Sequence, residues 1–358
     1  MYAEDVELLS CPVTGEALEI SSITQKDDDA DIVEGELRSV GTGNAYEIRN
    51  GIPRLANNSN YNPTWDYKWT IIDAGRGLNY RMIDEADPAY RINDLFDSNG
   101  HGGAAFRHAT GRIALDIGCG VGQYTIRLLK EYSPKKVVSM DLTRGVDIFR
   151  QIILERYPDY KKKILLVQGN VFELPFREQT FDYVFSLGVL MHTGDTLGAI
   201  KNACSVLRDG GHLNIWVYAS SVIPSEACEK GRHDTVWFRP FLEVLHKRFF
   251  WLGRHALRNL PHGMAVFLMR VISSDTWYLL TRLPLAGKLI NFVVGTCQHP
   301  DRDYRYINNY DAWVNTWDDT WSEHEIFPIL REQKIVVQQI CPWRVGFWGV
   351  KQPGFYMD

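Results

Sequence analysis

Short apolar runs alternate with amphipathic stretches in the middle of the chain. Four runs have the length of a buried strand, at residues 112–117, 136–140, 164–168 and 180–186. After the first run, the apolar positions in residues 123–132 recur at helical spacing. The pattern therefore predicts strands and an amphipathic helix here, with a further strand over 207–218 after the Gly210-Gly211 turn.

Three glycines connect the first predicted strand to the helix, since residues 116–122 read Asp-Ile-Gly-Cys-Gly-Val-Gly. Glycine has no Cβ atom, so the backbone can approach a ligand, and a helix N-terminus supplies free N–H donors. The turn therefore predicts a site for a nucleotide-like cofactor. The dinucleotide fingerprint G-x-G-x-x-G would require a glycine where Gln123 stands. An acid followed by glycines at intervals of two instead resembles motif I of the class I S-adenosylmethionine methyltransferases.

This resemblance implies a seven-stranded Rossmann-like α/β core, with S-adenosyl-L-methionine as cofactor and S-adenosyl-L-homocysteine as product. Asp141 ends the second predicted strand, where a carboxylate is placed to accept both ribose hydroxyls. Asn170 stands where the family commonly has Asp against the adenine amino group; Asn keeps an acceptor oxygen but loses the charge. The cofactor residues that we predict are Asp116, Gly118, Cys119, Gly120, Asp141, Leu142, Asn170, Val171 and Leu187.

Two side chains are candidates for catalysis. His192 follows the fourth predicted strand, in a loop that in similar methyltransferases faces the methyl group, and an imidazole can accept a proton near neutral pH. A structural histidine that caps the next helix is an equally good interpretation. Tyr218 ends the fifth strand at the edge where α/β sheets hold ligands.

Residues 1–58 are predicted to form a separate small β module, because short strands alternate with glycine turns. The module resembles the zinc-ribbon activator subunits of tRNA and protein methyltransferases. Cys11 is retained, but Thr14 replaces the second cysteine, and Ser39 and Thr42 lie where the later pair would fall. One thiolate cannot form a tetrahedral zinc site, so we expect no metal. An unrelated β hairpin is the alternative.

The remaining segments divide the chain further. Residues 59–110 are predicted to be a helical connector or cap, 111–219 and 306–358 the methyltransferase core, and 220–305 a helical insertion with three or four helices. We predict that Trp65, Tyr306 and Tyr310 contact the substrate, although aromatic residues at such positions also pack in cores. The insertion is basic and aromatic, compatible with an anionic substrate, a dimer interface, a membrane surface or a solvated lid.

Composition narrows the class of protein. The chain has 358 residues, a formal net charge of −5 and six cysteines without a C-x-x-C pair. These values argue against a generally basic nucleic-acid binder and favour reduced thiols. The acidic start excludes a signal peptide, and no apolar run is long enough for a transmembrane helix, so we expect a cytoplasmic protein.

These patterns predict a methyltransferase that acts on an oxygen or nitrogen nucleophile of a small-molecule, sugar or lipid-linked acceptor. An anionic acceptor, peripheral membrane contact and a homodimer are all compatible with the basic insertion. Two alternatives remain: an inactive S-adenosylmethionine-binding regulatory or interaction protein, and a tRNA-modifying methyltransferase. The net negative charge and the lack of an N-P-P-Y-type motif after the fourth strand argue against the second.

Overall fold

The computed structural model describes residues 1–56, 63–73, 105–219, 239–315, 319–340 and 345–353. The chain forms two compact units. The first comprises residues 1–61, 79–223 and 317–358, and the second comprises residues 62–78 and 224–316. The short segment 306–316, which we grouped with the core, clusters with the second unit. Much of the predicted connector and the start of the predicted insertion lie outside the described residues.

Ten α-helices and twelve strands lie in these ranges. The helices are α1 (Pro63–Asp73), α2 (Gln123–Tyr132), α3 (Gly145–Arg156), α4 (Thr196–Ser205), α5 (Arg239–Arg258), α6 (His262–Ile272), α7 (Asp275–Leu280), α8 (Ala286–Val293), α9 (Arg302–Val314) and α10 (Glu323–Glu332). The strands are β1 (Leu18–Lys26), β2 (Ile32–Ser39), β3 (Ala45–Arg49), β4 (Ile52–Pro53), β5 (Ile113–Ile117), β6 (Lys136–Asp141), β7 (Ile164–Gln168), β8 (Phe181–Leu187), β9 (Leu207–Ala219), β10 (Thr320–Trp321), β11 (Ile335–Ile340) and β12 (Val345–Lys351).

The main sheet of the first unit has the strand order β11-β12-β9-β8-β5-β6-β7. The strands from β9 to β7 are parallel, whereas β12 is antiparallel to both of its neighbours. The parallel strands are buried on both faces, which is why they read as continuous apolar runs in the sequence. The predicted Rossmann-like α/β class is confirmed. The two-residue β10, which pairs with the end of β9, adds an eighth strand to the predicted seven.

Helices cover this sheet through apolar faces. In α2, Ile126, Leu128 and Leu129 are buried, as their spacing predicted. On α10, Ile326 and Leu330 share a core with residues of α4. The start of α10 is a capping box in which Glu325 accepts hydrogen bonds from the Ser322 backbone and hydroxyl, at 2.8 and 2.6 Å.

The N-terminal residues form a second, four-stranded antiparallel sheet in the order β1-β2-β3-β4. Asn50 and Gly51 both have positive φ, at 53° and 75°, as a tight two-residue hairpin turn requires. The buried residues Leu18, Ile32 and Ile48 join the core of the main sheet. The first unit therefore has one continuous apolar core beneath two sheets.

This N-terminal sheet is attached to the outer strand β7. Arg54 forms a parallel bridge with Gln168, and the Leu55 N–H donates to the Gln168 carbonyl at 2.8 Å. Buried ion pairs link Asp31 to Arg150 of α3 and to Lys161. The attachment protects an edge strand whose backbone groups would otherwise be open to unwanted pairing.

The second unit is helical and has its own core. Ala265 and Met269 of α6 pack with Tyr306, Tyr310 and Trp313 of α9. Four helices, α5 to α8, lie in the described part of the predicted insertion, within the three or four expected.

A buried arginine ties the turns of the second unit together. Arg305 is 1% exposed and donates to the carbonyls of Ser273, His299 and Pro300, and it also pairs with Asp275.

Among the described helices, none is both long and apolar enough to cross a membrane.

Candidate active site

The glycine turn lies directly after β5 and opens helix α2. Gly118, Gly120 and Gly122 all have positive φ, at 81°, 53° and 86°. A Cβ atom on Gly118 would lie 2.3 Å from Val189, and one on Gly122 would lie 2.1 Å from the Phe149 ring. Backbone conformation and close packing therefore both require glycine at these two positions.

Asp116 lies beneath this turn, near the end of β5. Its side chain is buried and accepts a 2.7 Å hydrogen bond from the Thr125 hydroxyl of α2, which also contacts the Ser139 hydroxyl at 2.7 Å. Burial raises the pKa of the Asp116 carboxyl to about 7, and the charge of Asp141 adds to this increase, while the Thr125 hydrogen bond opposes it. Burial likewise raises the pKa of the adjacent Cys119 thiol.

Asp141 ends the neighbouring strand β6 and faces the glycine turn. One carboxylate oxygen accepts the Gly120 N–H at 2.9 Å, and the other accepts the N–H and hydroxyl of Thr143, at 2.9 and 2.7 Å. The structure thus brings Asp141, predicted to bind ribose, to the turn predicted to bind the rest of the cofactor.

Asn170 and Val171 form the corresponding turn after β7. The Asn170 side-chain oxygen accepts the Phe172 N–H at 3.0 Å, and the Val171 carbonyl accepts the side-chain amide of Asn202 at 3.0 Å. The side-chain amide of Gln168 donates to the Leu142 carbonyl at 3.1 Å, which ties this turn to the one after β6. Asn170 therefore shapes its own loop, and the predicted contact with adenine stays a prediction.

The two candidates for catalysis meet at the same edge of the sheet. His192 ends a short 3₁₀ helix after β8, is buried, and packs edge-to-face on Tyr218 with ring centroids 5.3 Å apart. The same loop presses Val189 onto Gly118, so it borders the glycine turn. Leu187, at the end of β8, is also buried.

Residues 319–321 also contribute to this edge, which the sequence patterns did not predict. The Asp319 N–H donates to the Met191 carbonyl at 3.1 Å, and its carboxylate accepts the Thr196 hydroxyl at 3.1 Å. Thr320 and Trp321 then pair with Tyr218 and Ala219. Residues 319–321 therefore adjoin both catalytic candidates. The signal available in the sequence was the tryptophan-rich stretch 317–321, which directly precedes the capping box of α10.

Known proteins share the central part of this arrangement. The model of the family described as "Methyltransferase domain" matches residues 115–215, which carry the glycine turn, Asp141, Asn170 and His192. This segment is an S-adenosylmethionine-dependent methyltransferase domain. The order of the strands, and the two relatives described next, agree with a class I methyltransferase core.

Two curated relatives cover the methyltransferase domain. A demethylmenaquinone methyltransferase of Bacillus licheniformis is 32% identical over 105 residues, which are 29% of this chain and 43% of the relative. A tRNA U34 carboxymethyltransferase of Helicobacter pylori is 32% identical over 154 residues, 41% of this chain and 57% of the relative. The chain thus spans about half the length of these relatives.

A solved structure is similar over a longer range. A SAM-dependent methyltransferase from Aquifex aeolicus is 12% identical, with a TM-score of 0.38 over 79% of this chain and 98% of that one.

The predicted substrate residues lie in the second unit, outside the methyltransferase domain. The Tyr306 hydroxyl lies 3.2 Å from that of Tyr67, and the Tyr310 ring is 5.0 Å from the Tyr67 ring. Burial raises the pKa of the Tyr306 and Tyr310 hydroxyls. Trp65, on α1, is covered by the Lys68 ammonium at 4.1 Å. The structure thus brings Tyr306 and Tyr310 together, and their contact with a substrate stays a prediction.

Three of the four positions compared with a zinc ribbon lie around a carboxylate. Glu16 accepts hydrogen bonds from the hydroxyls of Thr14, Ser39 and Thr42, and from the Thr42 N–H at 3.0 Å. Cys11 is buried nearby, 3.0 Å from the Tyr46 hydroxyl. In the described ranges, no three His, Cys, Asp or Glu side chains are grouped as metal ligands would be. Hydrogen bonds to Glu16 therefore connect these loops.

Proposed function

We propose that the protein transfers a methyl group from S-adenosylmethionine to an oxygen or nitrogen nucleophile of a small-molecule, sugar or lipid-linked acceptor. The observation that carries this proposal is the glycine turn at residues 118–122, with Asp141 bonded to its Gly120 N–H. It lies within the matched methyltransferase domain. The donors at the start of α2 and the partly exposed Asp141 carboxylate fit an adenosyl cofactor.

The residues of the chain have distinct roles in this proposal. S-adenosylmethionine supplies an activated methyl group on a sulfonium. Asp141 accepts the ribose hydroxyls, Leu142 and Val171 border the adenine, and Asn170 holds the loop between them. Orienting the acceptor in line with the methyl group is worth roughly 7–11 kcal/mol of the barrier. His192 takes the proton of a hydroxyl acceptor, with Tyr218 fixing the plane of the imidazole ring.

The acceptor class follows from the chain rather than from its relatives. The relatives named for a quinone and for tRNA cover similar parts of this chain, so the shared domain favours neither acceptor. The net charge of −5 disfavours a polyanionic tRNA acceptor, whereas the exposed apolar side chains of the helical unit favour a lipid-linked one. Transfer of label to bulk tRNA but not to a lipid extract would overturn this choice.

The N-terminal module has a proposed role of its own. We infer that it is an activator-like module fused to the methyltransferase domain, in which hydrogen bonds to Glu16 replace a metal. The positions of Thr14, Ser39 and Thr42 around this carboxylate support the proposal. Prolonged treatment with a zinc chelator should then leave the melting temperature unchanged, whereas a clear decrease would reject the inference.

Titration calorimetry with S-adenosylmethionine and S-adenosylhomocysteine tests the cofactor assignment. Asp141→Asn should weaken binding about 10- to 100-fold, because it removes charge-assisted hydrogen bonds to the ribose. Asp182→Asn is a matched control, because Asp182 also accepts a backbone N–H, from Ile113 at 3.0 Å. Asp182 lies near the start of β8, whereas Asp141 lies at the end of β6, so the two are at opposite ends of the parallel strands. Binding of a dinucleotide without a response to either ligand would reject the proposal.

Activity assays then separate an enzyme from an inactive binding protein. Methyl transfer to any acceptor excludes the inactive alternative. If His192 is the base, His192→Ala lowers turnover of a hydroxyl acceptor at least 100-fold while the affinity for the cofactor holds. Unchanged turnover would reduce His192 to a structural role.

A further inference from the structure

Exposed apolar side chains are concentrated in the helical unit. Of the sixteen large hydrophobic residues that are exposed in the described ranges, eleven lie between Phe249 and Val293. Leu285 is 85% exposed, Leu289 66%, Leu279 65% and Phe267 63%. Scattered exposed apolar residues are normal, but concentration of this kind marks a surface that binds something.

The exposed residues lie on defined helix faces. On α6, Met264, Phe267 and Val271 follow a spacing of three and four, while Ala265 and Met269 point into the core on another face. A helix that is apolar on two faces is typical of one covered on both sides. Leu285, Leu289 and Val293 recur every four residues through α8 and the residue before it.

Two of these helices are neighbours. The Phe249 ring of α5 lies 6.4 Å from the Phe292 ring of α8. Phe249 and Leu252 are exposed one turn apart on α5. We call the exposed apolar residues of α5, α6 and α8, together with residues 279–285, the apolar face.

Basic residues lie on the same helices and turns as the apolar face. Residues 239–300 contain eight Lys or Arg but only two acids, Glu243 and Asp275, in a chain whose net charge is −5. Asp275 pairs with the buried Arg305. Five of the basic side chains are exposed, namely Arg248, Arg258, Arg270, Arg282 and Lys288. Lys288 directly precedes Leu289, and Arg270 directly precedes Val271.

We propose that the apolar face docks on a lipid bilayer that contains anionic lipid. Short helices with apolar and basic residues lie in the interface of a bilayer, with the apolar side chains among the acyl chains and the cations at the headgroups. A nucleic-acid partner would match the charge but leave the leucines in water. A second copy of the chain would cover the leucines but bring like charges together. The bilayer satisfies both features at once.

Vesicle sedimentation tests this proposal without reference to catalysis. The full chain is mixed with large vesicles of phosphatidylcholine alone or with one quarter phosphatidylglycerol. The protein should bind the anionic vesicles and be released by raised salt. Leu289→Glu should weaken binding at least tenfold, because it places a charge where the bilayer would cover an apolar side chain. Lys288→Gln should weaken it about fivefold, since a cation near an anionic surface is worth about 1 kcal/mol.

Control variants separate this surface from a general effect. Val13 and Val40 are 71% and 63% exposed in the N-terminal sheet, so Val13→Glu and Val40→Glu make the same change elsewhere and should leave vesicle binding unaltered. All four substituted residues are exposed, so the fold tolerates each change.

Three results would overturn the proposal. The first is no binding to either vesicle. The second is equal loss in the Val13 and Val40 variants. The third is a dimer that Leu289→Glu dissociates in light scattering, which would assign the apolar face to a second copy. Because vesicle binding needs no cofactor, its failure is distinguishable from failure of the methyltransferase proposal.

Discussion

The Asp116 carboxyl is buried, and burial disfavours its ionised form. It is 2% exposed, and burial raises its pKa from the ordinary 3.8 to about 7. The folded protein therefore binds this proton more tightly than the unfolded chain. The contribution of this raised pKa to the free energy of unfolding is fully present below about pH 4. It is lost as the pH rises from 4 to 7. Thr125, which donates to the carboxyl, limits that loss.

Asp116→Asn removes this titration and keeps an oxygen that accepts from Thr125. The free energy of unfolding of the variant, relative to the native chain, should rise by up to about 1.4 kcal/mol for each pH unit up to pH 7 and then level off. Urea unfolding of both proteins at pH 5, 6, 7 and 8 measures the difference. A difference that does not vary with pH would show that the carboxyl is ionised throughout.

At the scale of elements, the loop after β8 and the glycine turn after β5 form one packed junction. Val189 fills the space beside Gly118 that a side chain would need. The loop continues into His192, which packs on Tyr218 of β9. Three neighbouring strands therefore contribute to one edge, and a change in the turn displaces the candidate base.

Gly118→Ala should destabilise the fold and weaken binding of S-adenosylmethionine at least tenfold, because the new Cβ atom would lie 2.3 Å from Val189. Gly210→Ala is a matched control: Gly210 has a similar φ of 74°, but open space surrounds its Cβ position. It should cost about 1–3 kcal/mol of stability from backbone strain and leave cofactor binding unchanged. Adding Val189→Ala to Gly118→Ala should recover part of the affinity. Equal effects of the two alanines on binding would contradict this account.

Sequence patterns predicted the parts of the site that depend on local order. Asp116 and the three glycines lie in a strand and turn that lead into a helix, and Asp141 ends the strand that follows this helix in the chain. The pairing of β10 with β9 joins residues about one hundred positions apart, and a two-residue strand has no period to detect. The ion pair of Asp31 with Arg150 likewise depends on tertiary packing that neither segment encodes alone.

At the scale of the whole molecule, one arginine joins the N-terminal sheet to the loops of the main sheet that we predict to bind the cofactor. Arg54 donates to both carboxylate oxygens of Asp147, at 3.0 and 2.5 Å, and to the side-chain oxygen of Gln168 at 3.1 Å. Gln168 in turn donates to the carbonyl of Leu142, the residue after Asp141. The N-terminal sheet is thereby connected to the predicted ribose and adenine loops by two successive hydrogen bonds.

Arg54→Ala should weaken S-adenosylmethionine binding about tenfold, with a larger rise in KM than fall in kcat, because Gln168 loses its orienting donor. Arg38→Ala is the control, since Arg38 forms an exposed ion pair with Glu36 in the same sheet. If the effect passes through Gln168, the double variant Arg54→Ala with Gln168→Ala should bind S-adenosylmethionine no more weakly than the single variant with the lower affinity. Additive losses in this double-mutant cycle would reject that route. Arg54→Lys should not restore affinity, because lysine cannot make the bidentate contact.

The pairing of β10 with β9 has an evolutionary consequence. The chain leaves the sheet at Ala219 and re-enters it at Thr320, and these residues belong to adjacent strands. An excursion whose two ends are neighbours can be lengthened, shortened or exchanged without altering the sheet register, and closing a longer one costs little additional entropy. A segment inserted between Ala219 and Thr320 can therefore be exchanged for another. A lineage can change what lies between 220 and 318 while it keeps the residues that we predict to bind the cofactor.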